Sequence, residues 1–192
     1  MSLNTLIHFL NRYTELSNKE IAFVEENILV KQVPKNHVLL EEGQVSTEFY
    51  FITKGCVRLY YLTNSEEKTA YFYTENMFVS SYESFTKQVP ATHCIATLEE
   101  TELVVFNVNQ VEKFMSFSPK FEMLARMIME EELSANQYII SSFINKNAEG
   151  RYLDLLQNKP ELIKRIPQHY IATFLGVSPE TLSRIRKRIV TN

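Results

Sequence analysis

The stretch QHYIATFLGVSPETLSRIRK, Gln168 to Lys187, reads as two short helices joined by a tight turn. Counting from Gln168, the fifth residue is Ala172, where two crossing helices leave room for little beyond a methyl group. The ninth is Gly176, where the turn asks for a positive φ that costs other residues about 1 kcal/mol or more. Apolar side chains at Ile171, Leu175, Val177, Leu182 and Ile185 fall where the helices must face each other. Ser178 stands at an N-cap position and Pro179 at the first helical position after it. The second helix keeps Leu182, Ile185 and Ile189 on one face and Glu180, Thr181, Ser183, Arg184, Lys187 and Arg188 on the other. That polar face has the composition of a helix laid in a major groove. A helical hairpin that merely packs also ends in cations, but it does not need the Ala, the Gly and the apolar set together. The pattern therefore points to a helix-turn-helix and to double-stranded DNA.

Charge distribution agrees. The net charge of −3 argues nothing by itself. Residues 146–192, however, hold nine Lys and Arg against four acids, and the preceding 145 residues hold eleven against nineteen. An acidic body with a basic C-terminal module suits phosphate binding. The 192 residues allow one large domain or two small ones, and 45% apolar content allows a real core. The two cysteines, Cys56 and Cys94, are too few and too far apart for a disulfide framework or zinc site, and are expected to be buried free thiols. The N-terminus carries no apolar run long enough for a signal peptide or membrane span, so a cytoplasmic protein without membrane contact is expected.

Residues 2–30 read as helical, with a capping box at Ser17 and Glu20 opening the second helix. From Lys31 to Phe106 the period changes to two. Segments such as VLLEEG, EFYFITKG, CVRLYYLT and TELVVFNV are rich in β-branched and aromatic residues, with Gly43 and Gly55 at turns. They predict an antiparallel barrel or jelly roll. Residues 119–145 read as one helix, with Ser118 as cap and Pro119 in the first turn. Such a helix spans about 40 Å, too long for the barrel alone to cover, so a second copy of the helix is its natural partner. Its apolar stripe is broader than a strict heptad and permits no single register. Gly150 marks a break, followed by a helix and connector with Pro160 near the helix end. The fold class is thus α+β. Residues 1–117 form the barrel with its N-terminal helices, 118–146 the long dimerisation helix, and 147–192 the helix-turn-helix domain.

Barrel, long helix and helix-turn-helix in that order resemble the Crp/Fnr family of transcriptional regulators. The resemblance covers nearly the whole chain and rests most on VLLEEG…TEFYFITKGCVRLYY and IATFLGVSPETLSRIRK. It implies a homodimer, a small-molecule sensor in the barrel, a pseudo-palindromic DNA site and, for an activator, contact with RNA polymerase. Carried onto this sequence, Gln168, Ser178 and Thr181 would touch phosphates, and Glu180 and Arg184 would read base edges. Arg184 suits guanine O6 and N7, and Glu180 a cytosine amine. Ser183, Lys187 and Arg188 complete the DNA-facing set. Pro179 stands where many members have Arg, so one base contact is expected to be missing.

Other departures concern the effector. Members that bind cyclic AMP hold its phosphate with a Gly-Glu pair and a following Arg. The equivalent stretch, ENMFVSSYESFTKQVPATHCIATL, has neither Gly nor Arg, and its one cation, Lys87, is expected on a loop. Cyclic AMP is therefore not the expected effector. The hydroxyl and aromatic groups of Ser80, Ser81, Tyr82, Ser84, Phe85 and Thr92, with Glu83, suit a partly apolar, uncharged or cationic ligand, or else fill a pocket that binds nothing. Iron–sulfur members need four cysteines. Haem sensing needs an axial ligand, for which His93 beside Cys94 is the one histidine worth testing. No metal or cofactor is expected. The sequence ends at Asn192 without room for the wing strands of many members, so weaker and more salt-sensitive DNA contacts are expected. An enzyme on the barrel is disfavoured, since the chain has no His-x-His pair, phosphate loop or catalytic triad order. The competing reading is a small-molecule-binding or interaction module with a vestigial helix-turn-helix.

Overall fold

The computed structural model describes residues 2–64 and 66–191. Two helices, α1 (Ser2–Leu10) and α2 (Asn18–Asn27), lead into strands β1 (Leu29–Val33), β2 (Val38–Leu40), β3 (Glu48–Lys54), β4 (Val57–Thr63), β5 (Glu66–Tyr73) and β6 (Phe78–Val79). A short helix α3 (Tyr82–Lys87), strands β7 (Cys94–Thr97) and β8 (Thr101–Asn107), and helix α4 (Val108–Phe117) follow. The chain finishes in α5 (Pro119–Asn145), α6 (Ala148–Asn158), α7 (Pro160–Arg165), α8 (Gln168–Phe174) and α9 (Pro179–Thr191). The strands form two antiparallel four-stranded sheets, ordered β1-β8-β3-β6 and β2-β7-β4-β5, the jelly roll expected from the alternation.

Several local expectations change. Leu29 and Val30 pair with Val105 and Val104 as strand rather than ending a helix. Lys87 lies on α3, not a loop, and pairs with Glu83 one turn back. Pro160 opens the separate helix α7 instead of closing α6, because a proline without an N–H fits only a first turn.

Strand alternation sorts side chains into three larger cores and a small cluster of Tyr60, Cys94 and Ala96. Ile52, Val57, Leu59, Tyr71, Tyr73 and Leu103 fill the space between the sheets. Phe51, Val104 and Phe106 face outward from the first sheet under α1, α2, α4 and the start of α5. Cys56, Phe72 and Leu98 face outward from the second sheet and merge with the apolar side of the C-terminal helices. Cys56 and Cys94 are buried free thiols, and burial pushes the Cys56 thiol up to about 12.

One buried carboxylate ties the N-terminal helices to α5. Glu20 closes the Ser17 capping box, accepting from Ser17 N at 2.7 Å, and also accepts from Ser118 Oγ at 2.6 Å and Lys120 Nζ at 3.0 Å. These donors, Ser118 foremost, hold its pKa down at about 2. A depressed carboxyl stabilises the fold above its unfolded value near 4.5, and that stabilisation is lost as pH falls towards 2. Glu20→Gln is expected to cost about 2 kcal/mol at neutral pH, as for hydrogen bonds to a charged group. The gap to the parent in urea denaturation should narrow as pH falls to about 3; a gap independent of pH would show that the charge is irrelevant.

Helix α5 carries two stripes. Phe121, Leu124, Ile128, Glu132 and Ile139 lie towards the barrel, where Phe121 and Leu124 are buried. Met129, Leu133, Ile140 and Phe143 are exposed, Leu133 at 59% and Ile140 at 61%. With Asn136 these repeat at alternating spacings of four and three. At about 100° per residue, the second stripe lies roughly a quarter-turn from the first. The breadth that hid a register in the sequence is the overlap of two faces.

Candidate functional site

The C-terminal hairpin is built as its sequence demands. Ala172 is fully buried with Ile171, Leu175, Leu182 and Ile185, and Val177 packs beside them. Gly176 has φ +71°, and a Cβ there would meet the Phe143 ring at 3.3 Å, so conformation and space both favour glycine. Ser178 Oγ accepts from Thr181 N at 3.3 Å, capping α9. Gln168, Ser178, Glu180, Ser183, Arg184, Lys187 and Arg188 are exposed, and Thr181 is half-buried. Arg184 is steadied along its own helix, donating to Glu180 O and Thr181 Oγ1, both at 3.4 Å. Glu180, hydrogen-bonded by Ser178, is held below the usual carboxylate range. Arg188 pairs with Glu149 of α6 at 2.6 Å, a contact invisible to spacing along one helix.

The hairpin is also seated on the second sheet. Arg58 of β4 is sandwiched between the rings of Tyr60, at 4.0 Å, and Tyr170 of α8, at 3.8 Å, while its tip pairs with Glu67 at 2.5 Å. Thr173 Oγ1 donates to Thr69 Oγ1 at 3.0 Å. Arg165 grips Glu75 through two bonds of 2.9 and 2.8 Å and also pairs with Glu99; these contacts, Glu75 first, raise the pKa of the guanidinium. Sequence reading missed this junction. Arg58 sits in a strand that looks half-exposed, and its partners lie in a distant segment.

A second site opens between the barrel and α5, a cleft of about 1150 Å³. Leu59, Tyr61, Tyr71 and Tyr73 wall it from the second sheet, and Glu132, Asn136 and Ile139 from α5. Of the seven residues expected around an effector, Ser80, Tyr82 and Phe85 line this cleft. Ser81 is buried in the wall of the barrel. Ser84 is also buried, donating to Val89 O at 2.6 Å and accepting from Ser46 N. Glu83 and Thr92 are exposed. His93 packs edge-on to Tyr61 with both ring nitrogens unpartnered, and burial lowers its pKa.

Residues 30–117 match the protein-family model for the cyclic nucleotide-binding domain. Solved structures extend the likeness across the chain. A transcriptional regulator of the Crp/Fnr family from Eubacterium rectale superposes with a TM-score of 0.73 at 16% identity, covering 96% of this chain and 88% of that one. FixK2 from Bradyrhizobium japonicum gives 0.72 at 16% identity and 85% coverage of both chains. CLP of Xanthomonas campestris, described as a c-di-GMP responsive global regulator, gives 0.72 at 16%, covering 91% of this chain and 92% of its own. No curated protein matches at the level of sequence. The chain therefore joins a cyclic nucleotide-binding-type jelly roll to C-terminal helices in the fold of Crp/Fnr regulators. No helix among the described residues is long and apolar enough to cross a membrane.

Proposed function

We propose that the chain is a homodimeric, sequence-specific DNA-binding transcriptional regulator of Crp/Fnr type, not an enzyme, whose barrel senses something other than cyclic AMP. The observation that carries this reading is the hairpin α8–α9. Its apolar residues are consumed by packing, and its polar set from Gln168 to Arg188 stays on the surface. Such a surface suits phosphates along its edges and base edges at Glu180 and Arg184. Pairing of two copies along the exposed stripe of α5 would present two recognition helices to half-sites one helical turn apart. A change in the angle between them then switches affinity. The relatives' status as regulators supports the reading.

Selection of bound sites from a random DNA pool tests it. Enrichment of an inverted repeat is expected, and Arg184→Ala is expected to lose about 1–3 kcal/mol on that site while relaxing its sequence preference. Equal loss on random DNA would count against base reading, and absence of any enriched repeat against the function.

Cyclic AMP fits the cleft poorly. Among the described residues, its lining carries Arg126 as cation against Glu122, Glu130 and Glu132, and Arg126 already pairs with Glu130 at 3.1 Å. A cyclic phosphate would have to draw Arg126 from Glu130 and meet three carboxylates there.

A further inference from the structure

The cleft has a chemical character of its own. Tyr71 and Tyr73 point into it from β5 with ring centroids 4.5 Å apart, and Tyr61 joins them from β4. Across from these rings, Glu132 lines the cleft from α5. No direct hydrogen bond or ion pair to it is seen among the described residues, and burial raises its pKa, with Lys159 the one cation opposing that effect. Its carboxylate in turn helps to raise the tyrosines, after burial itself.

A half-buried acid whose one nearby cation, Lys159, makes no direct ion pair with it is a cost to the fold, and such costs gather at binding sites. Aromatic faces opposite an acid complement a cation, since each ring presents its negative face. The rings already attract one: Lys159 Nζ lies 5.4 Å over the Tyr71 ring. The remaining lining is largely apolar, including Leu59, Ala70, Phe78 and Ile139.

We propose that the cleft binds a small organic cation, an amine or quaternary ammonium on an apolar body, with Glu132 as counter-ion and Tyr61, Tyr71 and Tyr73 as its aromatic wall. This rests on the sensor half of the proposed function and is independent of DNA binding. Met129, Leu133, Asn136 and Ile140 of the exposed stripe also line the cleft, so a second copy of α5 would close one side of it, while Glu132, about a quarter-turn from Leu133 and Ile140, stays towards the rings.

Calorimetric titration of the full chain with benzyltrimethylammonium tests the proposal. The neutral near-isostere 2-methyl-1-phenyl-2-propanol and cyclic AMP serve as comparisons. One cation is expected to bind per chain, at least about tenfold more tightly than the alcohol. Glu132→Gln is expected to remove most of that preference, and because Glu132 also offsets the burial of Lys159, the melting temperature is read alongside to establish that the variant is folded. Tyr73→Phe should retain binding and Tyr73→Leu weaken it several-fold, because the ring face and not the hydroxyl holds the cation. No binding at millimolar cation, equal binding of the alcohol, or full affinity in a folded Glu132→Gln protein would each overturn the proposal, as would cyclic AMP binding unaffected by that substitution. The Arg184→Ala protein should titrate like the parent. Failure of DNA recognition and failure of this site are therefore seen separately.

Discussion

Leu133→Asp is expected to make the chain a monomer and to lower its affinity for an inverted-repeat site by about a hundredfold or more. Leu133 is 59% exposed and lies in the four-three repeat of Met129, Leu133, Asn136, Ile140 and Phe143. A second α5 packed along this stripe would place two copies of each residue face to face. Aspartate at that position puts two carboxylates in an apolar seam, where each must be desolvated or the seam must open. Separated chains then bind half-sites one at a time, and the gain from joint engagement, ~10²–10⁴, is lost. The side chain is exposed within one chain, so the monomer should keep its secondary structure. Sedimentation and fluorescence anisotropy on labelled DNA read the two effects independently. A Leu133→Asp protein that still sediments as a dimer excludes this face as the interface. A monomer with undiminished affinity for the full repeat excludes paired recognition helices.

The features legible in the sequence are those fixed by neighbours along the chain. Ser17 with Glu20, and Ser118 with Pro119, mark helix starts because a cap and its donor lie within one turn. Ala172 and Gly176 mark the hairpin because one turn fixes both the close approach and the positive φ. Elements held from a distance were lost. Strand β1 exists by pairing with β8, some seventy residues away, and the two-residue β6 by pairing with β3. Helix α3 is braced by Ser84, which bridges Val89 and Ser46 across segments. Helix α4 could have been found, since Asn107 and Gln110 form a complete capping box. The cleft shows the same division. A stretch rich in hydroxyls drew attention to Ser81 and Ser84, yet buried hydroxyls bind nearby backbone first. Glu132 gives no signal on a helix full of acids. Only the fold brings it opposite three tyrosines from two other strands.

Arg58→Met is expected to destabilise the chain by about 2 kcal/mol and to loosen the C-terminal helices on the barrel before the barrel itself unfolds. Its side chain is 4% exposed, and opposing contributions must be weighed. Methionine relieves a real cost, because Arg58 Nε is buried without a partner, and replacing a buried ion by an apolar group of similar length can be neutral. Glu67 loses little, since it is 43% exposed and rehydrates readily. Against this stand the two rings. A guanidinium held between Tyr60 and Tyr170, away from water, gains up to about 2 kcal/mol from each face. A thioether recovers only part of that through contact with the rings. Because Tyr170 belongs to α8 and Tyr60 to β4, the loss falls on the junction and leaves the interior of either unit intact. Hydrogen exchange should therefore quicken first in α8, with the amides of β3 and β8 still protected. Lysine at the same position keeps the charge but not the flat face, and should fall between parent and methionine. A double-mutant cycle with Tyr170→Leu isolates the pair, with a coupling of about 1 kcal/mol or more expected. Additive effects would show instead that the Arg165 clamp on Glu75 and Glu99, together with the Phe72–Phe174 contact, holds the junction without Arg58.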